Sequence, residues 1–427
     1  MTKIKTLIGK INNGDNPLFR ELYGNDEAVL KQQAERYSSL MKEFEEAVGT
    51  DDVELFSSPG RTEVGGNHTD HQYGRVLAGA VNMDNIAVVA KNDSDVIRIK
   101  SAGYPEFTVD ISDLSKDESK LYTSEALVKG ICARLKELGH NIGGFNAYIH
   151  GNVLKGSGLS SSASFEVLIG AIISHLFNDG KIDPVENAIV GQWSENNYFG
   201  KPCGLMDQTA CSVGGFITID FKDPAKPVVK ALDFDFMKTG YALVITDTGG
   251  DHANLNDEYA SLPVEMKSVA QALGKSVMRE VSYEELLKAI PEIREKVGDR
   301  AILRAIHFLG DNERVVDQVE ALESNRFDDF LKMVIASGNS SYMYNQNVYT
   351  THDPRHQSVA LGLALSAKML DGKGGWRVHG GGFAGTIQAF VPKDLLDEYV
   401  DTLESVFGKG NCHKLFIRSK GSIKLEL

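Results

Sequence analysis

Residues 151–164 read GNVLKGSGLSSSAS and run directly into FEVLIGAIISHLF at 165–177. The second stretch is too long and too continuously apolar for an ordinary strand, so it predicts a buried helix over 160–177 that the loop opens. Five of the fourteen loop residues are Ser and four are Gly or Ala. Ser160 is placed as the N-cap, because a short hydroxyl there accepts a backbone N–H of the first turn. The first turn of a helix carries unpaired N–H groups and the positive end of the macrodipole, and glycines let the backbone approach an anion closely. The segment Gly156, Ser157, Gly158, Leu159, Ser160, Ser161 and Ser162 is therefore a candidate phosphate cradle, with the hydroxyls of Ser161 and Ser162 in reach of phosphate oxygens or a magnesium ion. The plainer alternative is a flexible linker ahead of a capped helix. A Walker loop is excluded, since Ser157 and Gly158 follow Gly151 and Gly156 where Lys and then Ser or Thr are required. The GKS at 274–276 has Val269 where that motif needs glycine.

At 427 residues the chain exceeds one typical core, which predicts two domains, 1–215 and 216–427. Hydrophobic residues make up 42% and charged residues 24%, the balance of a globular chain rather than a disordered one. The net charge of −14 argues against a long basic groove for nucleic acid, which depends on many cationic contacts to phosphates. A small phosphate ligand needs only backbone N–H groups, one or two cations and Mg2+. The four cysteines lack metal-binding spacing and are expected to be reduced thiols. With no signal-peptide core and no 18-residue apolar run, a cytoplasmic protein without membrane contact is expected.

Along the chain, residues 17–48 predict a helix with a mostly exposed surface, and VELFSSPGRTEVGG predicts a strand running into a turn. Strands follow over the first third, then helices at 121–138, 160–177 and about 184–198, and strands at GGFITIDF and YALVITDTG. Residues 255–335 are mainly helical in pattern, and WRVHGGGFAGTIQAFV reads as strand, glycine turn and strand. A helix from about 393 and the strand KLFIR close the chain. Strands and helices out of βαβ rhythm predict an α+β fold.

Besides the serine loop, GRTEVGGNHTDHQYG at 60–74, SENNYFGKPCGLMDQ at 194–208 and HGGGFAGT at 379–386 concentrate glycine turns with ionisable groups. Taken singly, each has an ordinary explanation as a hairpin turn or a solvated loop tip. Taken together, an acid near a turn, a second acid for a metal and an arginine are the parts that phosphoryl transfer requires. On the residues alone the reading stops at a small-molecule kinase or a binder of a phosphate ligand.

SPGRTEVGGNHTDH, KGSGLSSSAS, ENNYFGKPCGLMDQ and HGGGFAGT stand in the order and approximate spacing of the motifs of the galactokinases, within the superfamily of galactose, homoserine, mevalonate and phosphomevalonate kinases. The chain resembles that family from about residue 50 to 390. The resemblance implies an N-terminal domain like the second domain of ribosomal protein S5, a ferredoxin-like C-terminal domain and an active site in the cleft between them. It implies ATP-dependent phosphorylation of galactose at the anomeric hydroxyl, by a monomer acting on a small-molecule sugar and ATP with Mg2+. By position, Asp207 matches the family's catalytic aspartate and Arg61 its partner arginine. Ser162 and Glu195 match the Mg2+ ligands, and residues 156–162 the nucleotide-phosphate loop. The sugar contacts fall on Asn67, His68, Asp70, Gly204, Asp207 and, by its spacing of seven from His252, Tyr259.

The chain departs from the pattern at Asn67, where galactokinases usually read GEHTD and this chain reads GNHTD. An amide therefore stands where a carboxylate is expected to bind a sugar hydroxyl, which opens a related sugar such as N-acetylgalactosamine or arabinose as the substrate. The usual VNLIG before it is TEVGG here. A non-catalytic sensor of galactose and ATP is the rival class. Such sensors resemble the kinases but have an altered serine loop, whereas GLSSSAS, Asp207 and Arg61 are all present here.

Overall fold

The computed structural model describes residues 2–13, 16–153, 158–249 and 255–427. Its first half comprises β1 (Thr2–Lys3), α1 (Ile4–Asn12), α2 (Pro17–Tyr23), α3 (Glu27–Val48), β2 (Asp52–Gly65), β3 (Arg75–Lys91), β4 (Val96–Ser101), β5 (Phe107–Asp110), α4 (Ser124–Glu137), β6 (Phe145–Gly151), α5 (Ser161–Phe177), α6 (Pro184–Ser194), α7 (Met206–Val213), β7 (Phe216–Asp220) and β8 (Val228–Ala231). The remainder comprises β9 (Tyr241–Asp247), α8 (Asn256–Ala272), α9 (Tyr283–Val297), α10 (Asp299–Glu323), α11 (Phe327–Ser340), α12 (Ser358–Leu370), β10 (Gly375–Val378), β11 (Thr386–Pro392), α13 (Leu396–Phe407), β12 (Cys412–Leu415) and β13 (Ile423–Lys424). The α+β expectation is borne out. Among the described residues the strands form a nine-stranded sheet, built on the order β1-β2-β3-β6-β4-β5 with β7, β8 and β13 attached, and a four-stranded sheet β10-β11-β9-β12.

Side-chain alternation along the long strands gives the first sheet two apolar faces. Ala87 and Val89 of β3 pack with Ile169, Ile172 and Ile173 of α5, while Ile86 and Val88 pack with Tyr37, Met41 and Phe44 of α3. The helix expected over 17–48 is thus neither single nor mostly exposed. Asn16 caps α2 ahead of Pro17, Gly24 ends it at φ 86°, and Asp26 caps α3 anew. A third core, containing Leu159, Leu77, Phe216, Leu243, Phe330 and Phe390, joins the two sheets. The serine loop is anchored in that seam.

The expected boundary at 215/216 falls inside the first sheet, because β7 pairs with β3 and β8 extends it to Ala231. The chain also returns to this sheet at its far end, where Ile417 bridges Val81 and β13 pairs with β2. Strand β2 runs through Gly60 before the turn that its sequence predicts. It continues through Arg61 to Gly65 with irregular register between Pro59 and Arg61 and between Glu63 and Gly65, the kind of local twist that re-aims side chains. A Cβ on Gly60 would lie 2.7 Å from the Leu159 carbonyl oxygen, so glycine is what permits the strand to touch the loop. All four cysteines are free, and no helix among the described residues is long and apolar enough to cross a membrane.

A buried ionic cluster ties the ends of the chain to the centre of the sheet. Asp84 on β3 is fully buried and accepts hydrogen bonds from Arg36 (2.6 Å), Ser57 (2.5 Å), Tyr23 (2.7 Å) and Arg418 (3.3 Å). Burial would raise its pKa, but the two guanidinium groups and these hydrogen bonds outweigh that and hold it below the ordinary carboxylate value. Asp84→Ala strands two cations against apolar surroundings and is expected to cost about 3–5 kcal/mol. The urea midpoint reads this, and a loss under about 1 kcal/mol would show that the cluster does not hold the chain ends.

Candidate active site

Three distant segments converge on Asp207. Strand β2 supplies Arg61, whose Nε donates to Asp207 Oδ1 at 2.7 Å and whose terminal nitrogen donates to Oδ2 at 2.6 Å. The loop before α5 supplies Ser160, whose hydroxyl donates to Oδ2 at 2.6 Å. Helix α7 carries Asp207 in its first turn. The carboxylate is burdened by desolvation, yet the Arg61 charge, the Arg61 and Ser160 hydrogen bonds and nearby Lys201 hold it below its ordinary pKa. It is ionised at neutral pH and 31% exposed, so one edge stays open to a ligand.

The placement of Ser160 corrects its expected role. It stands at the N-cap position but in the left-handed region (φ 58°, ψ 65°), and its side chain caps nothing. Its hydroxyl is spent on Asp207, which leaves the first-turn N–H groups of α5 without a side-chain partner and available to an anion. Ser161 is half-buried, Ser162 is exposed in that first turn, and Leu159 is buried and offers only backbone. Gly158 is exposed at φ 72°, and its carbonyl accepts from Arg61. Gly156 and Ser157 lie outside the described residues, as does His252.

Glu195 begins a π-helical turn, Glu195–Phe199, that continues α6. Such turns rotate the side chains that follow, and they recur at functional sites. Its carboxylate is 4% exposed, accepts from Gln208 at 3.0 Å and lies 3.7 Å from Lys201 Nζ. The same Gln208 amide donates to Glu166 at 2.9 Å. Glu166 is 1% exposed, its Oε1 has no hydrogen-bond partner, and burial followed by repulsion from Glu195 drives its pKa well up. Sequence reasoning assigned no role to Glu166 or Gln208, although both lie within quoted stretches.

The loop 66–74 divides its residues between two tasks. Asp70 is half-buried and lies against Gly204, where a Cβ would be 3.1 Å from its Oδ2. Gly204 is exposed, three residues before Asp207. The other expected sugar contacts turn toward the glycine loop at 380–382. His68 Nε2 bonds the Gly381 carbonyl at 2.9 Å, and the Tyr259 hydroxyl donates to the Gly382 carbonyl at 2.8 Å. Asn67 is 0% exposed, with its amide bonded to Glu63, Gly380, Ser341 and Asn347. Asn67, which the resemblance sets against a sugar hydroxyl, is thus enclosed, with its amide nitrogen and oxygen both bonded within the protein.

Residues that the sequence did not single out complete this region. His307 Nε2 bonds the Asn67 carbonyl, Asp311 accepts the Asn67 N–H, and Arg377 pairs with Glu63 at 2.9 Å. His71 has both ring nitrogens buried without partners, and burial lowers its pKa to about 4, so it is neutral. His68, Ser160, Gln346 and Phe383, all beside this region, are among the eight non-glycine residues with positive φ among those described. Strain of this kind persists only where packing over-determines it, and it gathers at binding sites.

This is the architecture of the GHMP kinases. Residues 126–215 match the family described as "GHMP kinases N terminal domain", and residues 42–91 match the "Galactokinase galactose-binding signature". The galactokinase of Clostridium acetobutylicum is 30% identical over 392 residues, covering 89% of this chain and 94% of that protein. That of Streptomyces coelicolor is 29% identical over 371 residues, covering 85% and 91%. The structure of Lactococcus lactis galactokinase complexed with galactose aligns at TM-score 0.74 and 24% identity over 91% of this chain and 99% of that one. Methanococcus jannaschii mevalonate kinase aligns at 0.60 and 13% identity, covering 86% and 98%, a likeness of fold alone. The chain belongs to the galactokinase family.

Ser160→Ala removes one of three donors to the Asp207 carboxylate and so raises its pKa. The acid limb of the kcat/KM profile is expected to move to higher pH in this variant; an unmoved limb would separate Ser160 from the ionisation that activity needs.

Proposed function

We propose that this chain transfers the γ-phosphoryl group of ATP to the anomeric hydroxyl of galactose, giving galactose 1-phosphate and ADP, as a monomeric cytoplasmic sugar 1-kinase. The observation that carries the reading is the Asp207 carboxylate, held ionised by three donors and placed beside Asp70, Gly204 and the uncapped start of α5. A sugar hydroxyl set against the open edge of Asp207 is oriented by it and gives up its proton there as the phosphoryl group arrives. The same three donors lower the basicity of the carboxylate, which suits a loose transition state in which positioning and charge matter more than early proton removal. Arg61 has the charge to stabilise the transferring group as well as the aspartate. The first-turn N–H groups of α5 and residues 158–162 are suited to the nucleotide phosphates.

The donor set also fits Mg2+. Glu195 is a buried carboxylate with few donors, Glu166 beside it has an unpartnered oxygen, and Ser162 offers a hydroxyl at the helix start. Hard oxygen ligands of this kind suit the ion. When bound, it would offset the charge of the nucleotide phosphates, with Ser162 and Glu195 holding it. The names of the curated relatives and the galactose complex of the Lactococcus lactis protein support the substrate. The amide of Asn67 in place of the family's usual carboxylate supports one second reading, a 1-kinase for a related sugar such as N-acetylgalactosamine or arabinose. Intact GLSSSAS, Arg61 and Asp207 weigh against a non-catalytic sensor.

ADP release coupled to a panel of sugars separates these readings, with galactose expected to lead and no sugar-dependent release expected of a sensor. Asp207→Asn is expected to lower kcat by about 10²–10⁴-fold while retaining the native far-UV spectrum; near-normal turnover would remove Asp207 from the chemistry. Ser162→Ala and Glu195→Gln are expected to raise the Mg2+ concentration needed for half-maximal rate, and an unchanged requirement in both would count against their assignment.

A further inference from the structure

Asn67 is bonded at every position it has. Its backbone N–H donates to Asp311 Oδ2 at 2.8 Å and its carbonyl accepts from His307 at 2.9 Å. Its two amide hydrogens go to Glu63 Oε1 at 2.8 Å and to the Gly380 carbonyl at 2.9 Å, and its amide oxygen accepts from Ser341 at 3.1 Å and Asn347 at 2.9 Å. Glu63 is 8% exposed and Arg377, its ionic partner, 1%. Arg377 also donates to the carbonyls of Val64 and Val378.

These partners fix which chemical group belongs at each position. A carboxylate oxygen and a peptide carbonyl only accept, so the group at 67 facing Glu63 and Gly380 must present two donors. A carboxylate there would set acceptor against acceptor and bury a second negative charge beside Glu63. An amide at 63 would instead supply the donor that a carboxylate at 67 needs. The family pattern VNLIGEHTD carries that converse arrangement, with Asn at the position of Glu63 and Glu at that of Asn67. The carboxylate and amide have exchanged places in this chain, and the hydrogen bond between the two positions is the reason that one exchange requires the other.

The exchange reaches the ligand side through the glycine loop. Three consecutive carbonyls, those of Gly380, Gly381 and Gly382, are held by Asn67, by His68 with Asn347, and by Tyr259. A Cβ at Gly382 would collide with the Asn347 backbone, so only glycine permits this close approach. We propose that Glu63 and Asn67 form one coupled positioning unit that seats the Gly380–Gly382 loop on the sugar loop, so that sugar selectivity is set by the pair and not by Asn67 alone. The inference rests on the sugar-kinase reading above.

A double-mutant cycle tests it with wild type, Asn67→Glu, Glu63→Asn and the combined variant, which conserves the side chains while exchanging their places. Each protein is measured for Tm without substrate, and for kcat, KM of galactose and KM of ATP. Each single variant is expected to lower Tm and to raise KM for galactose by roughly tenfold, with KM for ATP changing less than about twofold. The combined variant is expected to recover most of both losses. A combined variant whose Tm loss is the sum of the single losses and whose KM factor is their product overturns the proposal, as does an Asn67→Glu protein that gains affinity for galactose at unchanged Tm. If Asn67→Glu is insoluble, a soluble combined variant is the expected rescue and an insoluble one contradicts it. The Tm cycle needs no turnover, so a wild type inactive on every sugar refutes the kinase reading while the coupling is still decided.

Discussion

The pairing of Arg61 with Asp207 is the constraint on which the site depends. A guanidinium and a carboxylate in fork geometry demand that β2 and the start of α7 face each other at hydrogen-bond distance, and Ser160 adds the serine loop to the same carboxylate. To meet this demand, β2 is bulged around Arg61, and Gly60 lets the strand touch the Leu159 carbonyl. A buried ion pair of this sort adds little net stability once desolvation is counted. Its place in the structure is better explained by the ionised, oriented and partly exposed carboxylate that it leaves.

The serine loop sits on the core that joins the two sheets. Leu159 descends into that core from the serine loop, and Phe216, Leu243, Phe330 and Phe390 meet it from both sides. The loop with the start of α5 therefore cannot shift without disturbing the packing between the sheets. On the sugar side the tie is polar: loop 66–70 is bonded to Asp311 and His307 on α10 and to the glycine loop between β10 and β11. Apolar seam and polar network act on opposite ends of one site, so small changes in either would misplace the reacting groups relative to each other.

What was legible in the sequence follows from how local each signal is. The buried helix after the serine loop and the α+β class rest on periodicity and glycine chemistry, whereas Asp207, Arg61, Asp70 and Gly204 were reached through the resemblance in motif order; the structure pairs Arg61 with Asp207 and sets Asp70 against Gly204. Ser160 was misread because the capping rule sees only its own helix, while the hydroxyl answers to Asp207, 47 residues away. Residues 17–48 read as mostly exposed because their many charges hide the stripe Tyr37, Met41, Phe44 that the sheet covers. The π-helical turn at Glu195 has no periodic signature. The enclosure of Asn67 was out of reach for the same reason as Glu63, Arg377, His307 and Asp311: each is defined by a partner far along the chain, and the chain offers no local sign of it.

The account places a sugar's anomeric hydroxyl against Asp207, so the position of the phosphate in the product tests it most directly. ³¹P NMR of the reaction with ATP, Mg2+ and galactose reports that position through coupling to the nearest sugar protons. The account predicts a single phosphomonoester coupled to the anomeric proton, growing with ADP. A phosphate coupled instead to the protons of the primary carbinol, or ADP formed with inorganic phosphate and no sugar ester, would contradict it.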